Sequence, residues 1–140
     1  MQIGSEDEFI VIDQIDSASM DGDCLEDVQV HVQIKLKEFS GVYDSVTISK
    51  SDIEQFIRGL EQLEQKRTSE IVLNSFNPNE FLLTISSKEK RNNLAVAISL
   101  SRYQYSGPVE WNTSISGGFE LGSDSVPSLL NSFKGLIQLH

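Results

Sequence analysis

The sequence predicts an α+β fold, with a mainly antiparallel sheet of about six to eight strands and two amphipathic helices. One stretch alternates apolar and polar residues strictly, which is typical of a strand that is buried on one face. Two further stretches, at about residues 51–66 and 125–138, repeat apolar residues at helical spacing. The remaining candidate strands follow one another through short turns rather than crossover helices, which favours antiparallel pairing.

The alternating stretch predicts the clearest strand. Its apolar positions share one parity and are Val28, Val30, Val32, Ile34 and Leu36. The intervening residues are polar, which places His31 on the solvent face, where a lone histidine is more often a surface residue than a catalyst. Further strands are predicted at residues 8–13, 42–48, 70–73, 81–86, 94–105, 109–114 and 119–121. The pair Gly117-Gly118 predicts a turn between the last two.

The helix at 51–66 carries an apolar arc roughly 120° wide. Its members are Ile53, Phe56, Ile57, Leu60 and Leu63. Ser51, with Glu54 three residues later, matches a capping box. Gly59 flanks the arc, and two interpretations stay open: a neighbouring backbone approaches closely, or the glycine is merely tolerated. The helix at 125–138 is expected to be capped by Asp124 or Ser125, with Pro127 in its first turn.

The 140 residues are expected to form a single domain spanning 1–140. The net charge of −10 is concentrated in an acidic N-terminal segment at about residues 1–27, which holds nine acidic residues and no lysine or arginine. This charge disfavours nucleic-acid binding, because phosphates need a basic surface. It favours a basic protein partner, although a merely solvated acidic edge is the alternative.

Several features favour a cytoplasmic location. Cys24 is the only cysteine, so no disulfide can form within the chain. No apolar run approaches about 20 residues, so no membrane span is expected. The first residues are acidic and lack the basic region of a signal peptide.

No catalytic or cofactor motif is present. The sequence contains no phosphate-binding loop, no dinucleotide-binding glycine pattern and no nucleophile elbow. Cys24, His31 and His140 are too few for a four-ligand zinc site. The acids from Asp21 to Asp27 lack the glycine and glutamate positions of a calcium-binding loop. We therefore expect no enzyme activity, no catalytic residues, no metal and no cofactor.

The order of elements resembles a known family. The residues that carry the resemblance are the strand Val28–Leu36, the turn Phe39–Tyr43, the helical segment Ile53–Leu63, the strands Ile71–Leu73 and Leu82–Ile85, and the final Phe119–Leu121 with Leu129-Leu130. Over roughly residues 25–140 this pattern is similar to the WapI-type immunity proteins of bacterial polymorphic-toxin systems. The resemblance implies a small cytoplasmic protein that binds and neutralises a cognate toxin domain, often a nuclease.

The resemblance and the charge together suggest a partner-binding surface. Its candidate acidic residues are Asp21, Asp23, Glu26 and Asp27. Tyr105 and Trp111 are candidate apolar anchors, although a lone tryptophan in a small domain is more often partly in the core. The rival hypothesis is a small-ligand-binding α+β module with a pocket between helix and sheet, lined by Phe, Tyr and Ile. A convex acidic surface without a deep pocket would favour toxin binding.

Overall fold

The computed structural model describes residues 1–15, 27–65, 70–87 and 93–138. Within these ranges eight strands are present. They are β1 (Gln2–Gly4), β2 (Glu8–Gln14), β3 (Asp27–Leu36), β4 (Phe39–Ser49), β5 (Glu70–Asn74), β6 (Phe81–Ser87), β7 (Leu94–Ser106) and β8 (Val109–Leu121). The first sheet has the order β1-β2-β3-β4 and the second has the order β5-β6-β7-β8. All neighbouring strands pair antiparallel, so the predicted fold class is confirmed.

The end of the second sheet differs from the prediction. The strands expected at 109–114 and 119–121 are one continuous strand, β8, and Gly117 and Gly118 lie inside it. Both glycines are needed for close packing rather than for a turn. A Cβ on Gly117 would lie 2.7 Å from a methyl carbon of Leu36, and one on Gly118 would lie 2.4 Å from the carbonyl oxygen of Val96. Glycine in a strand often marks such an approach.

The two helices are α1 (Lys50–Gln65) and α2 (Val126–Gln138), the second preceded by a 3₁₀ turn at Ser123–Ser125. The predicted cap at Ser51 is wrong, because α1 begins earlier. The hydroxyl of Ser49 accepts a hydrogen bond from the backbone N–H of Asp52 at 3.3 Å. Ser49 is therefore the N-cap, and Ser51 lies in the first helical turn.

The apolar arc of α1 is fully buried, as its spacing predicts. The two helices pack through Phe56 and Phe133, whose rings meet edge to face with centroids 4.8 Å apart. The structure also resolves the role of Gly59, because a Cβ there would lie 2.4 Å from a methyl carbon of Ile71. The absence of a side chain thus lets α1 lie directly on β5. Buried side chains of both sheets and both helices join in one core cluster.

Strand β8 crosses the first sheet at the end of that sheet where the turn between β3 and β4 lies. Phe119 contacts β1. Two residues nearer to the hairpin turn, Gly117 lies over Leu36 of β3. Two residues further again, Ile115 lies over Gly41 of β4, where a Cβ would be 3.1 Å from an Ile115 methyl carbon. From Phe119 to Ile115, β8 advances by four residues, which is about 14 Å. The distance across the sheet from β1 to β4 is three inter-strand spacings, which is also about 14 Å. Strand β8 therefore runs nearly perpendicular to the strands of the first sheet.

Candidate functional site

The β7–β8 hairpin extends beyond the first sheet. Because Ile115 already lies over the edge strand β4, the residues of β8 that precede it have no strand of the first sheet beneath them. Ladder pairing nevertheless continues to Ser106 and Val109. The six residue-to-residue steps from Ile115 to Val109 correspond to about 20 Å of strand. We call residues 102–113 the overhanging tip.

A two-residue turn closes the tip. Gly107 has a φ of +63°, which L side chains rarely adopt, and Pro108 follows it. A positive φ at the first position and the fixed φ of proline at the second fit a type II′ turn. This tight turn keeps β7 and β8 in one register along the whole hairpin. The face on which each tip residue lies can therefore be read from the residue with which it is paired.

Aromatic side chains occupy both faces of the tip. Trp111 is paired with Gln104 and shares the face that, nearer the base, forms the core. Tyr105 is paired with Glu110 and lies on the opposite face. Trp111 is 60% exposed and Tyr105 is 76% exposed. The alternative that Trp111 contributes to the core is therefore excluded, because the layer that would cover it ends at β4.

The edge strand β4 adds apolar side chains beside the tip. Phe39 is 70% exposed and Val42 is 57% exposed. The hairpin tip carries four more, and we use the name apolar patch for all six, which are Phe39, Val42, Tyr103, Tyr105, Val109 and Trp111. They do not share one face. Val42 is paired with Gln33 on the outer face of the first sheet. Tyr103 and Tyr105 lie on the hairpin face opposite to Val109 and Trp111. Of the large hydrophobic residues exposed in the described part of the chain, only Val72 and Phe76 lie outside it. Such clustering marks interaction sites, and Trp and Tyr are enriched at interface hot spots.

A groove of about 400 Å³ separates β4 from the hairpin. One wall is formed by Phe39–Tyr43 and the other by Leu100–Arg102, Gln104 and Thr113–Ile115. The groove is open rather than enclosed, because Phe39 and Val42 in its wall remain largely exposed. It lies between the two sheets. A smaller opening of about 260 Å³ lies between α1 and β5, where the ligand hypothesis expects a pocket.

Three polar side chains meet at the groove. The guanidinium carbon of Arg102 lies 5.9 Å from the centre of the Tyr43 ring, within cation–π range. Burial raises the pKa of the Tyr43 hydroxyl, and the charge and hydrogen bond of Glu80 raise it further, while Arg102 lowers it. The Tyr43 hydroxyl is therefore neutral at physiological pH and acts as a hydrogen-bond donor to the Glu80 carboxylate.

Of the predicted contact residues, the structure describes Asp27, Tyr105 and Trp111. Asp21, Asp23 and Glu26 lie outside the described residues. Asp27 is exposed at the first position of β3, whereas the apolar patch adjoins the last positions of that strand. The nine residue-to-residue steps from Asp27 to Leu36 span about 30 Å, so Asp27 lies far from this end of the strand.

Phe39 and Val42 were not predicted from the sequence. Phe39 lies in a predicted turn, and Val42 lies in a predicted strand whose residue pattern does not indicate that it forms the edge of a sheet. The groove was not predicted either. The one signal for the tip was the pair Arg102 and Gln104, which interrupts the apolar parity of β7 and marks where burial ends.

The family model of the WapI-like immunity proteins matches residues 1–139. The chain belongs to this family. The match includes the acidic N-terminal segment, which the resemblance seen in the sequence did not cover. No match is found among curated proteins or among solved structures.

Two further findings concern the described part of this WapI-like chain. None of its helices has the length and apolar character needed to cross a membrane. Within the same residues, no group of three or more His, Cys, Asp or Glu side chains is arranged to hold a metal ion.

Proposed function

We propose that this chain binds a cognate toxin domain in the cytoplasm and neutralises it by contact, without catalysis. The observation that carries the proposal is the family match over residues 1–139. The fold supports it, because six of the eight large apolar side chains exposed in the described residues lie at the end of the molecule that holds the hairpin tip.

The apolar patch is the proposed centre of the interface. Trp111 and Tyr105 offer large side chains with few rotatable bonds, so their burial costs little conformational entropy. They occupy opposite faces of a narrow hairpin. A partner that covers both must therefore grip the overhanging tip from two sides, or accept it in a cleft.

The proposed partner is basic, such as a nuclease domain. The chain carries a net charge of −10, and nine of its acidic residues precede residue 28. Complementary charge accelerates association and disfavours wrong partners. Contacts from Asp21, Asp23, Glu26 and Asp27 stay a prediction. Since Asp27 lies about 30 Å from the patch end of β3, a toxin domain in contact with both regions must be at least that wide.

Co-expression tests this function. The reading frames beside this gene are first searched for a large secreted toxin. The toxin domain found there is then expressed in a sensitive host with and without this chain, and growth is measured. We expect growth to be restored only with this chain. Binding of the purified pair should weaken as ionic strength rises, because exposed charges are screened. Failure to rescue growth would contradict toxin neutralisation. A complex whose affinity does not change with salt would contradict docking led by charge.

The groove supports a second candidate, the binding of a small ligand. Its volume of about 400 Å³ and its Phe, Tyr and Ile lining suit a compact molecule. Arg102 would favour a ligand that carries a carboxylate. Native mass spectrometry of the protein purified from its own cells tests this candidate. A co-purifying molecule that is lost in Arg102→Ala would support ligand binding, and its absence would leave toxin binding as the better proposal.

A further inference from the structure

The free edges of the two sheets are protected unequally. The edge strands β1 and β5 are only 3 and 5 residues long. The edge strand β4 is interrupted by a bulge opposite His31, and its Thr47 carbonyl accepts a hydrogen bond from the N–H of Phe76. Short length, bulges and coverage are the usual ways in which proteins prevent unwanted strand pairing.

Among the residues that the structure describes, strand β8 has none of these protections. It is 13 residues long, pairs with β7 without a break, and contains no lysine, arginine or proline. A two-residue turn makes Ser106 and Val109 a hydrogen-bonded pair, so the backbone groups of alternate residues point away from β7. These outward-pointing residues include Asn112, Ser114 and Ser116. In the part of the chain that the structure describes, their backbone groups have no backbone partner.

Space for another strand lies directly beside this edge. A second open groove, of about 510 Å³, is lined by Ser114–Gly118 on one side and by residues of the first sheet on the other. These are Glu8, Leu36 and Phe39, together with Lys37 of the β3–β4 turn. A strand added about 4.8 Å from β8 would therefore pass over the side chains of Leu36 and Phe39.

We propose that β8 accepts an extended segment of the toxin partner as a fifth strand of the second sheet. The backbone of Asn112, Ser114 and Ser116 supplies the hydrogen bonds, and apolar side chains at alternate positions of the segment rest on Leu36 and Phe39. This inference rests on the proposed function and adds to it the mode of binding. The added strand is continuous with the apolar patch, since Phe39 belongs to both the patch and the groove.

Charge favours a basic partner over a second copy of this chain. The ionisable side chains of β8 are Glu110 and Glu120, those that line the groove are Glu8 and Lys37, and the chain as a whole is strongly acidic. Two copies of β8 paired antiparallel about their midpoint, Ile115, would set Glu110 against Glu120 twice. Like charges directly opposite one another destabilise a sheet. A segment that carries lysine or arginine between its apolar residues avoids this repulsion.

Amide hydrogen exchange tests the inference at single residues. In the free protein we expect the N–H groups of Asn112, Ser114 and Ser116 to exchange faster than those of Thr113, Ile115 and Gly117. In complex with the toxin domain encoded beside this gene, the three fast amides should become at least tenfold slower. Binding that leaves all three fast would overturn strand addition while toxin neutralisation stands. Slowing with rising concentration of this chain alone would overturn it in favour of self-pairing.

Proline substitution provides a second test. Ser116→Pro removes an outward-pointing N–H and leaves the ladder with β7 intact, because proline is tolerated at such positions of edge strands. We expect about tenfold weaker toxin binding, as one backbone hydrogen bond is lost. Ser116→Ala is the matched control and should bind within threefold of the parent chain. Ser114→Pro repeats the test if Ser116→Pro does not fold, and equal binding by a folded proline variant and its alanine control would contradict the inference.

Discussion

The base and the tip of the β7–β8 hairpin are the same two strands in the same register, yet their surroundings differ completely. At the base, the inward side chains of β7 are buried among those of both sheets, and Ile98 is only 2% exposed. At the tip, the same face carries Trp111, which is 60% exposed. Secondary structure continues from one region to the other without a change in hydrogen bonding.

The comparison shows that hairpin length and core size are set separately in this protein. The first sheet is four strands wide, and the core ends where β8 passes over β4. Strand pairing alone carries the hairpin further. The apolar side chains of the tip are not buried in this chain's own core, so they are available to contact another protein. The base is therefore expected to determine stability and the tip to determine binding.

The largest effect is expected from a cavity at the base. Ile98→Ala should lower the free energy of unfolding by about 2–5 kcal/mol, because the side chain is lost from a closely packed site. Gln104→Ala is the matched control, since it lies on the same face of β7 but at the tip. It should change stability by no more than about 0.5 kcal/mol. Denaturant unfolding measures both, and equal losses would remove the distinction between base and tip.

The complementary change at the tip should affect binding rather than folding. We expect Trp111→Ala to weaken toxin binding by about 2 kcal/mol or more, as truncation of an interface anchor does. Its unfolding free energy should stay within about 0.5 kcal/mol of the parent chain. Val72→Ala serves as a control, because Val72 is an exposed apolar residue outside the patch. Calorimetric titration measures the affinities, and an equal loss in the control would contradict a specific role for the tip.

A smaller loss is expected where β8 must lie close to its neighbours. Gly118→Ala should destabilise the protein by about 1–3 kcal/mol, because the new methyl group would meet the Val96 carbonyl. Gly135→Ala in α2 is the control, since nothing lies within 4 Å of a Cβ there. Alanine is the better helix former, so this variant should gain about 0.5–1 kcal/mol. Thermal unfolding compares the two variants. A stabilised Gly118→Ala would show that β8 has room for a side chain at this position and would contradict the close approach to Val96.

The smallest effect is expected from Tyr43, at the boundary between base and tip. Burial, followed by the charge and hydrogen bond of Glu80, raises its pKa above the ordinary 10.0. The folded protein thus holds the phenol proton more tightly than the unfolded chain does. This contribution to stability is fully present below about pH 10 and is lost as pH rises through the folded pKa. The free energy of unfolding, measured from pH 9 to 11, should therefore fall less in Tyr43→Phe than in the parent chain. Identical pH profiles for the two proteins would contradict the burial of the Tyr43 hydroxyl beside Glu80.

The fold was largely predictable because periodic patterns reflect burial. The alternation in Val28–Leu36 and the apolar arc of α1 both correspond to buried side chains in the structure. The errors occurred where the cause lies elsewhere in the chain. Gly117 and Gly118 predict a turn by composition, but they are required by Leu36 and by the Val96 carbonyl, whose proximity no local pattern reveals.

The candidate site was less predictable for a related reason. Tyr105 and Trp111 could be named as anchors from their residue types, but their exposure depends on where β8 leaves the first sheet. Phe39 joins them only because β4 forms that sheet's edge. The spatial separation of Asp27 from the patch likewise follows from the direction of β3, which the sequence pattern does not relate to the position of the hairpin.

Site-specific crosslinking tests most directly whether the overhanging tip binds the partner. A photoreactive phenylalanine analogue is placed at Tyr105, in the patch, or at Phe76, an equally aromatic and exposed position outside it. Each variant is illuminated with the toxin domain encoded beside this gene. We expect a covalent complex from position 105 and none from position 76. A complex that forms from position 76 and not from position 105 would contradict the assignment of the binding surface to the tip.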